Sequence, residues 1–207
     1  MKHILLSLFI AIGTLASAQK NNLAKFGIDE QAYIPTGLSV GDTAINFRGI
    51  DQNGNKFVLS EALKNGPVIV VFYRGVWCGI CSRHLMALEE DLNLLTKKGA
   101  QVVAISPEVE MLRDATAEKT KVSFSLLSDG DGKIMEQYDV AFTVTEDYVK
   151  KVKAYADMEL SENHNQDIAK LPIPATYIIG TDGVIKHASF NPDYGKRSTV
   201  EELVKQL

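Results

Sequence analysis

From residue 40 onward, short unbroken apolar runs alternate with stretches whose apolar residues recur at helical spacing. Residues 68–72, Val-Ile-Val-Val-Phe, contain no polar position. A run of that length predicts a strand covered on both faces. Residues 101–106 predict another buried strand, and 124–127 predict a third strand. Between the first two runs, Leu85, Leu88, Leu92 and Leu95 recur at three- and four-residue steps, which predicts a helix. Pro107 predicts the opening of another helix over 108–119, because proline is tolerated in a first helical turn. This alternation predicts an α/β sandwich around a central, partly parallel sheet.

The flanks carry turn chemistry. Residues 44–47 and 56–59 read as a hairpin around Asp51-Gln52-Asn53-Gly54. Ser60 is the expected cap of a short helix over 61–64, stopped by Gly66-Pro67. Residues 128–132 form a turn, and a short helix follows over 133–138. Residues 141–171 break the rhythm: they are charged and helical over about 148–158. They read as an insertion, either a lid beside the site or a solvated excursion. Pro172 and Pro174 then precede a strand over 175–179. Pro174 is a candidate cis-proline, since X–Pro bonds tolerate that isomer, and a cis bond would present the Ile173 backbone to an extended partner chain. Two trans prolines marking a strand start are the alternative. Thr181-Asp182-Gly183 turns the chain, 184–190 returns antiparallel, and Ser198 is the expected cap of the last helix.

The first 18 residues do not fit this scheme. Lys2 and His3 precede an apolar run over 4–12, and Ala16-Ser17-Ala18 is a small-X-small cleavage signal. That is the pattern of a secretory signal peptide, which predicts a periplasmic or secreted protein with no stable membrane span after cleavage. Residues 19–39 are a polar leader, and 40–207 form one domain. A net charge of −4 gives no basic footprint, so nucleic acid is not an expected partner.

The chemistry concentrates in one place. Both cysteines of the chain, Cys78 and Cys81, follow the first buried strand and open the Leu-rich helix. A helix N-terminus offers unpaired N–H groups and partial positive charge, which favour a thiolate. Arg74 and Arg83 add positive potential. A two-residue spacer makes a poor structural staple, because loop-closure stabilisation grows with loop length. A zinc site needs further ligands, and His84, His164 and His187 stand at no zinc-finger spacing. Ser82 replaces the His that covalent haem attachment requires. No glycine-rich phosphate loop is present. The pair therefore reads as a reversible redox dithiol needing no metal or cofactor. His84, three residues past Cys81, is either a proton-transfer group or a surface helix residue.

Residues 40–207 resemble the thioredoxin-fold redoxins, and within them the peroxiredoxin-like branch of the alkyl hydroperoxide reductase/thiol-specific antioxidant family. Trp77-Cys78-Gly79-Ile80-Cys81 resembles Trp-Cys-Gly-Pro-Cys, with Ile80 in place of proline. Ile173-Pro174-Ala175-Thr176 resembles the cis-proline segment of thioredoxin-like reductases. Phe72-Tyr73-Arg74-Gly75, and Pro192-Asp193-Tyr194 with Arg197, resemble the peroxiredoxin-like branch. The resemblance implies a central mixed sheet flanked by helices, an N-terminal hairpin extension and a helical insertion before the last hairpin. Two departures matter. Read without gaps from Phe72, Cys81 falls at the peroxide-attacking position, but Cys78 replaces the family's Thr, Arg74 its Pro, and Pro174 its activating Arg. Arg74 or Arg197 is then left to orient a peroxide. Under the thioredoxin register, Cys78 is the nucleophile and Cys81 resolves the mixed disulfide. The expected substrate is a hydroperoxide or a protein disulfide, and the expected reductant is of thioredoxin type. A redox sensor without turnover is the non-enzymatic alternative. Trp77, Ile173, Pro174, Arg74 and Arg197 are the expected site-shaping residues.

Overall fold

In a computed structural model, which describes residues 23–165 and 167–207, the strand–helix alternation holds along the chain. The proposed signal peptide and the first four leader residues lie outside the described residues. The elements in order are β1 (Arg48–Ile50), β2 (Lys56–Val58), α1 (Leu59–Ala62), β3 (Val68–Phe72), α2 (Gly79–Glu90), α3 (Leu92–Thr96), β4 (Gln101–Ser106), α4 (Glu110–Thr120), β5 (Ser125–Ser128), α5 (Lys133–Gln137), β6 (Ala141–Thr143), α6 (Glu146–Ala156), α7 (Leu160–Asn163), β7 (Lys170–Pro172), β8 (Ala175–Ile179), β9 (Ile185–Phe190) and α8 (Val200–Gln206).

Five strands form the central sheet in the order β5-β4-β3-β8-β9. β3, β4 and β5 run parallel, β8 pairs antiparallel with β3, and β9 pairs antiparallel with β8. The sheet is therefore mixed, with β3 at its centre. Successive side chains of a strand point to opposite faces. Val68, Val70 and Phe72 join one core with Phe47, Met135 and Tyr138. Ile69 and Val71 join the other with Leu85, Leu88, Leu203 and both cysteines. All five β3 residues are fully buried. Each such side chain contributes about 1.5–3 kcal/mol relative to exposure, which makes β3 a rigid anchor for the loop after it.

Residues 141–172 build a third, smaller core. β6 pairs antiparallel with β7, and Phe142, Tyr148, Val152, Leu160 and Leu171 pack together with Ile28 of the leader. The leader is tied on by an Ile28–Val144 bridge and by Thr145 N–H donating to Gly27 O at 2.9 Å. Gly27 has φ +84°, and a Cβ there would run into the Tyr148 ring.

Several local expectations are corrected. The hairpin pairs Arg48–Ile50 rather than 44–47 with the second strand. Asp51 Oδ1 accepts from both Asn53 and Asn55 N–H at 2.9 Å, which tightens the turn and starts the pairing beside it. Ser60 does not cap α1; its N–H donates to Asn46 Oδ1 at 2.9 Å. The Leu-rich helix breaks at Asp91 into α2 and α3. Thr199, not Ser198, caps α8, in a reciprocal capping box with Glu202. The Ile173–Pro174 bond is trans.

Candidate active site

β3 ends at Phe72, and residues 73–77 cross to α2. Gly75 sits at φ +140°, where a Cβ would overlap the Glu108 carboxylate and the Trp77 indole. Glu108 is fully buried and accepts from Val76 N–H at 2.8 Å. Lys119 donates to Val76 O at 2.7 Å. The loop is therefore fixed from behind by two charged side chains. Burial pushes the Glu108 carboxyl up to about 7, against hydrogen bonds that favour its ionised form.

Cys78 is the N-cap of α2, and Cys81 lies one turn further in. Their sulfurs are joined as a disulfide, with Cα atoms 5.2 Å apart. Cys78 Sγ takes the usual place of a capping oxygen and accepts from Cys81 N–H at 3.3 Å. Each sulfur also has its own guanidinium. Arg74 Nη2 donates to Cys78 Sγ at 3.3 Å, and Arg197 Nη2 donates to Cys81 Sγ at 3.3 Å. On reduction these donors, with the helix N-terminus, hold negative charge at either sulfur.

The two arginines are held differently. Arg74 is buried; Nη1 donates to Tyr148 Oη at 2.6 Å, and its plane lies 3.6 Å from the Tyr194 ring centroid. Arg197 donates to Tyr194 O at 2.9 Å and to Phe72 O at 3.5 Å. Burial, helped by the Arg74 charge, lowers Arg197 to about 9, so it remains cationic at neutral pH.

Access separates the sulfurs. Cys81 is fully buried in the core under α2, whereas Cys78, 3% exposed, lines an open cleft of about 240 Å³. Trp77, Tyr148, Tyr155 and Tyr194 form its aromatic walls, and Arg74, Arg83 and Lys151 supply charge. A larger groove of about 570 Å³ lies between β9 and α8 and includes Arg197, but no sulfur lines it.

The structure thus brings Arg74, Trp77, Cys78, Cys81 and Arg197 together. Ile173 and Pro174 are buried beside them in another role. Ile173 N–H donates to Val140 O at 2.8 Å, continuing the β6–β7 ribbon, and Pro174 O accepts from Asn191 N–H at 3.2 Å. With a trans bond and that N–H already paired, Ile173 does not offer the backbone donor expected of a cis-proline segment. His84 is neither a surface residue nor poised for proton transfer. Its Nε2 donates to Ser198 O at 3.1 Å, and burial, then the Arg197 charge, lowers it to about 4, so it stays neutral. Residues 141–171 do reach the site, through Tyr148.

Sequence reasoning missed Glu108, Tyr148, Tyr155 and Lys151. One signal pointed to Glu108: it follows directly on a buried parallel strand, and open α/β sheets place their sites beyond the carboxyl ends of such strands. Nothing local marked the tyrosines.

The sequence profile of the AhpC/TSA family matches residues 40–188. Chloroplastic peroxiredoxin Q of Oryza sativa subsp. japonica is 26% identical over 170 residues, covering 82% of this chain and 67% of that protein. Peroxiredoxin Bcp of Escherichia coli (strain K12) is 32% identical over 103 residues, covering 50% of this chain and 65% of that one. Peroxidoxin BcpB from Mycobacterium tuberculosis superposes with a TM-score of 0.62 at 21% identity, over 82% of this chain and 96% of that chain. A cysteine-to-serine mutant of PrxQ from Xylella fastidiosa gives 0.61 at 18% identity, over 83% and 96%. These structural matches show a thioredoxin-like fold.

Proposed function

Because the chain belongs to the AhpC/TSA family, we propose that it is a thiol-dependent peroxidase whose attacking sulfur is Cys78 and whose resolving sulfur is Cys81. One observation carries the assignment: Cys78, whose Sγ accepts from Arg74, lines the cleft, while Cys81 is fully buried one helical turn away. In the first step the Cys78 thiolate attacks the terminal oxygen of ROOH. An S–O bond forms, the O–O bond breaks, and RO⁻ leaves to become ROH. Arg74 holds the thiolate and stabilises the departing oxygen, the task of the arginine that Pro174 displaces. In the second step Cys81 attacks the sulfenic acid, expels water and closes the disulfide. A thioredoxin-type dithiol then reduces it by attacking Cys78, the cysteine that lines the cleft. Relatives named peroxiredoxin support the peroxidase reading. The signal-peptide pattern over 1–18 supports export, so the reductant is one supplied outside the cytoplasm.

The competing reading, exchange with protein disulfides, rests on the same oxidised Cys-X-X-Cys pair. Consumption of hydroperoxide by the reduced protein separates the two. Cys78→Ser is expected to lose about a thousandfold or more in rate. Cys81→Ser is expected to react once and stop, leaving a sulfenic acid on Cys78 that dimedone traps and mass spectrometry locates. A sulfenic acid on Cys81 in the Cys78→Ser protein, formed at full rate, overturns the assignment. Fast reduction of a protein disulfide with peroxide turnover no faster than a free thiol's overturns the peroxidase reading.

A further inference from the structure

We infer that the cleft over Cys78 is built for a small organic acid with an apolar body, and that the favoured peroxide is accordingly a carboxylate-bearing aryl or alkyl hydroperoxide. The second half rests on the peroxidase reading; the first does not.

Size argues first. The cleft holds about 240 Å³, whereas one water molecule takes about 30 Å³ of liquid. Hydrogen peroxide alone leaves most of it empty. Sites for drug-sized ligands run from about 300 Å³ upward, so a body of single-ring size is enough to fill the open cleft. The walls argue next. Trp77, Tyr148, Tyr155 and Tyr194 turn aromatic surface toward the cleft, and Tyr155 stays 55% exposed at its rim. An exposed aromatic rim beside a reactive sulfur suits an apolar ligand body.

Charge supplies the selection. Three cations line the cleft, Arg74 at its base and Arg83 and Lys151 at its exposed rim, and among the described residues no carboxylate does. Among those residues, too, none of the three cations forms an ion pair. A carboxylate at the Arg83–Lys151 rim places the ring against the tyrosines and the O–O group at Cys78 beside Arg74. The reaction there is the one already written: S–O forms, O–O breaks, sulfur loses two electrons and the alkoxide is protonated by water.

Two measurements test this. Trp77 is the one tryptophan of the chain, so its fluorescence reports occupancy without turnover. The oxidised protein is titrated with 4-isopropylbenzoate and with the uncharged 4-isopropylbenzamide. Saturable quenching is expected from the acid, weakened about tenfold by Arg83→Glu with Lys151→Glu, and little from the amide. No saturable change, or equal binding of acid and amide, overturns the inference whether or not the protein is a peroxidase. The reduced protein is then offered cumene hydroperoxide and its 4-carboxylate. The carboxylate is expected to be preferred in kcat/KM by about tenfold, a ratio that falls with added salt and collapses in the double variant. Equal rates with both, or a ratio insensitive to charge reversal, overturn the substrate assignment. Saturable binding of the acid without peroxide turnover would instead overturn the peroxidase reading and leave the acid site standing.

Discussion

Cys78 and Cys81 are bonded to each other but belong to different regions of the molecule. Cys78 faces the segment 141–172, which gives it a tyrosine-braced arginine and an open cleft. Cys81 faces the C-terminal region, packed under α2 with an arginine from the loop before α8. The cations match; the access does not. A disulfide built this way has a direction. In the proposed reaction, attack from outside falls on Cys78, which lines the cleft, and Cys81 completes the exchange. The two registers considered from sequence differ on this point, and the difference in access favours the proposed assignment, in which Cys78 meets the substrate.

The sharpest way to break this asymmetry is to remove one arginine at a time. Arg74→Leu is expected to slow attack on hydroperoxide by about a hundredfold or more, the usual loss when one charge-stabilising donor goes. Arg197→Leu is expected to spare that step and slow closure of the disulfide by about tenfold. Stopped-flow traces of Trp77 fluorescence resolve the two phases. Equal slowing of the first phase by both variants would show that the arginines act as one cluster.

Glu108 sharpens the comparison from behind, because it braces the loop on the Cys78 side only. Burial raises its carboxyl to about 7, against about 4.3 in an unfolded chain. The folded protein therefore binds this proton more tightly than the unfolded chain does. The associated stability is complete below about pH 4.3 and is lost as pH rises to about 7. Glu108→Gln is expected to flatten that decline by about 3 kcal/mol across the window. Urea denaturation at pH 4.5 and 7.5 on both proteins measures it; parallel pH profiles would refute it.

An effect no larger than that of Arg197→Leu is expected at Tyr148. Tyr148→Phe removes the 2.6 Å hydrogen bond to Arg74 but keeps the ring, at about 1.5–3 kcal/mol for a charged partner. Peroxide attack should slow by about tenfold while disulfide closure is unchanged. An effect on closure instead would mean that segment 141–172 also governs the buried sulfur.

Some of this is legible in the chain and some is not. The runs at 68–72 and 101–106 give β3 and β4 to the residue, because a doubly covered strand is apolar through its middle, with the polar Gln101 and Ser106 only at the ends of β4. Helix caps are legible only to within a position or two. Ser198 and Thr199 are adjacent capping residues, and only the Glu202 side chain returning to Thr199 N–H distinguishes them. Pro174 is ambiguous in sequence because either isomer fits it. The β6–β7 ribbon, which draws the Ile173 N–H onto Val140, settles its surroundings. Tyr148 lies 74 positions from Arg74, and no local pattern carries such a pairing.

By itself the sequence determined the redox pair, the strand that carries it and the helix whose N-terminus it occupies. Each of those follows from neighbours within about a dozen residues, through periodicity, turn chemistry and backbone dipoles. Only the tertiary structure decided which cysteine lines the cleft, which arginine reaches which sulfur, and that a buried glutamate supports the loop before them. Those depend on contacts between distant segments, and burial, the quantity that sets them, is a property of the packed chain rather than of any stretch of it.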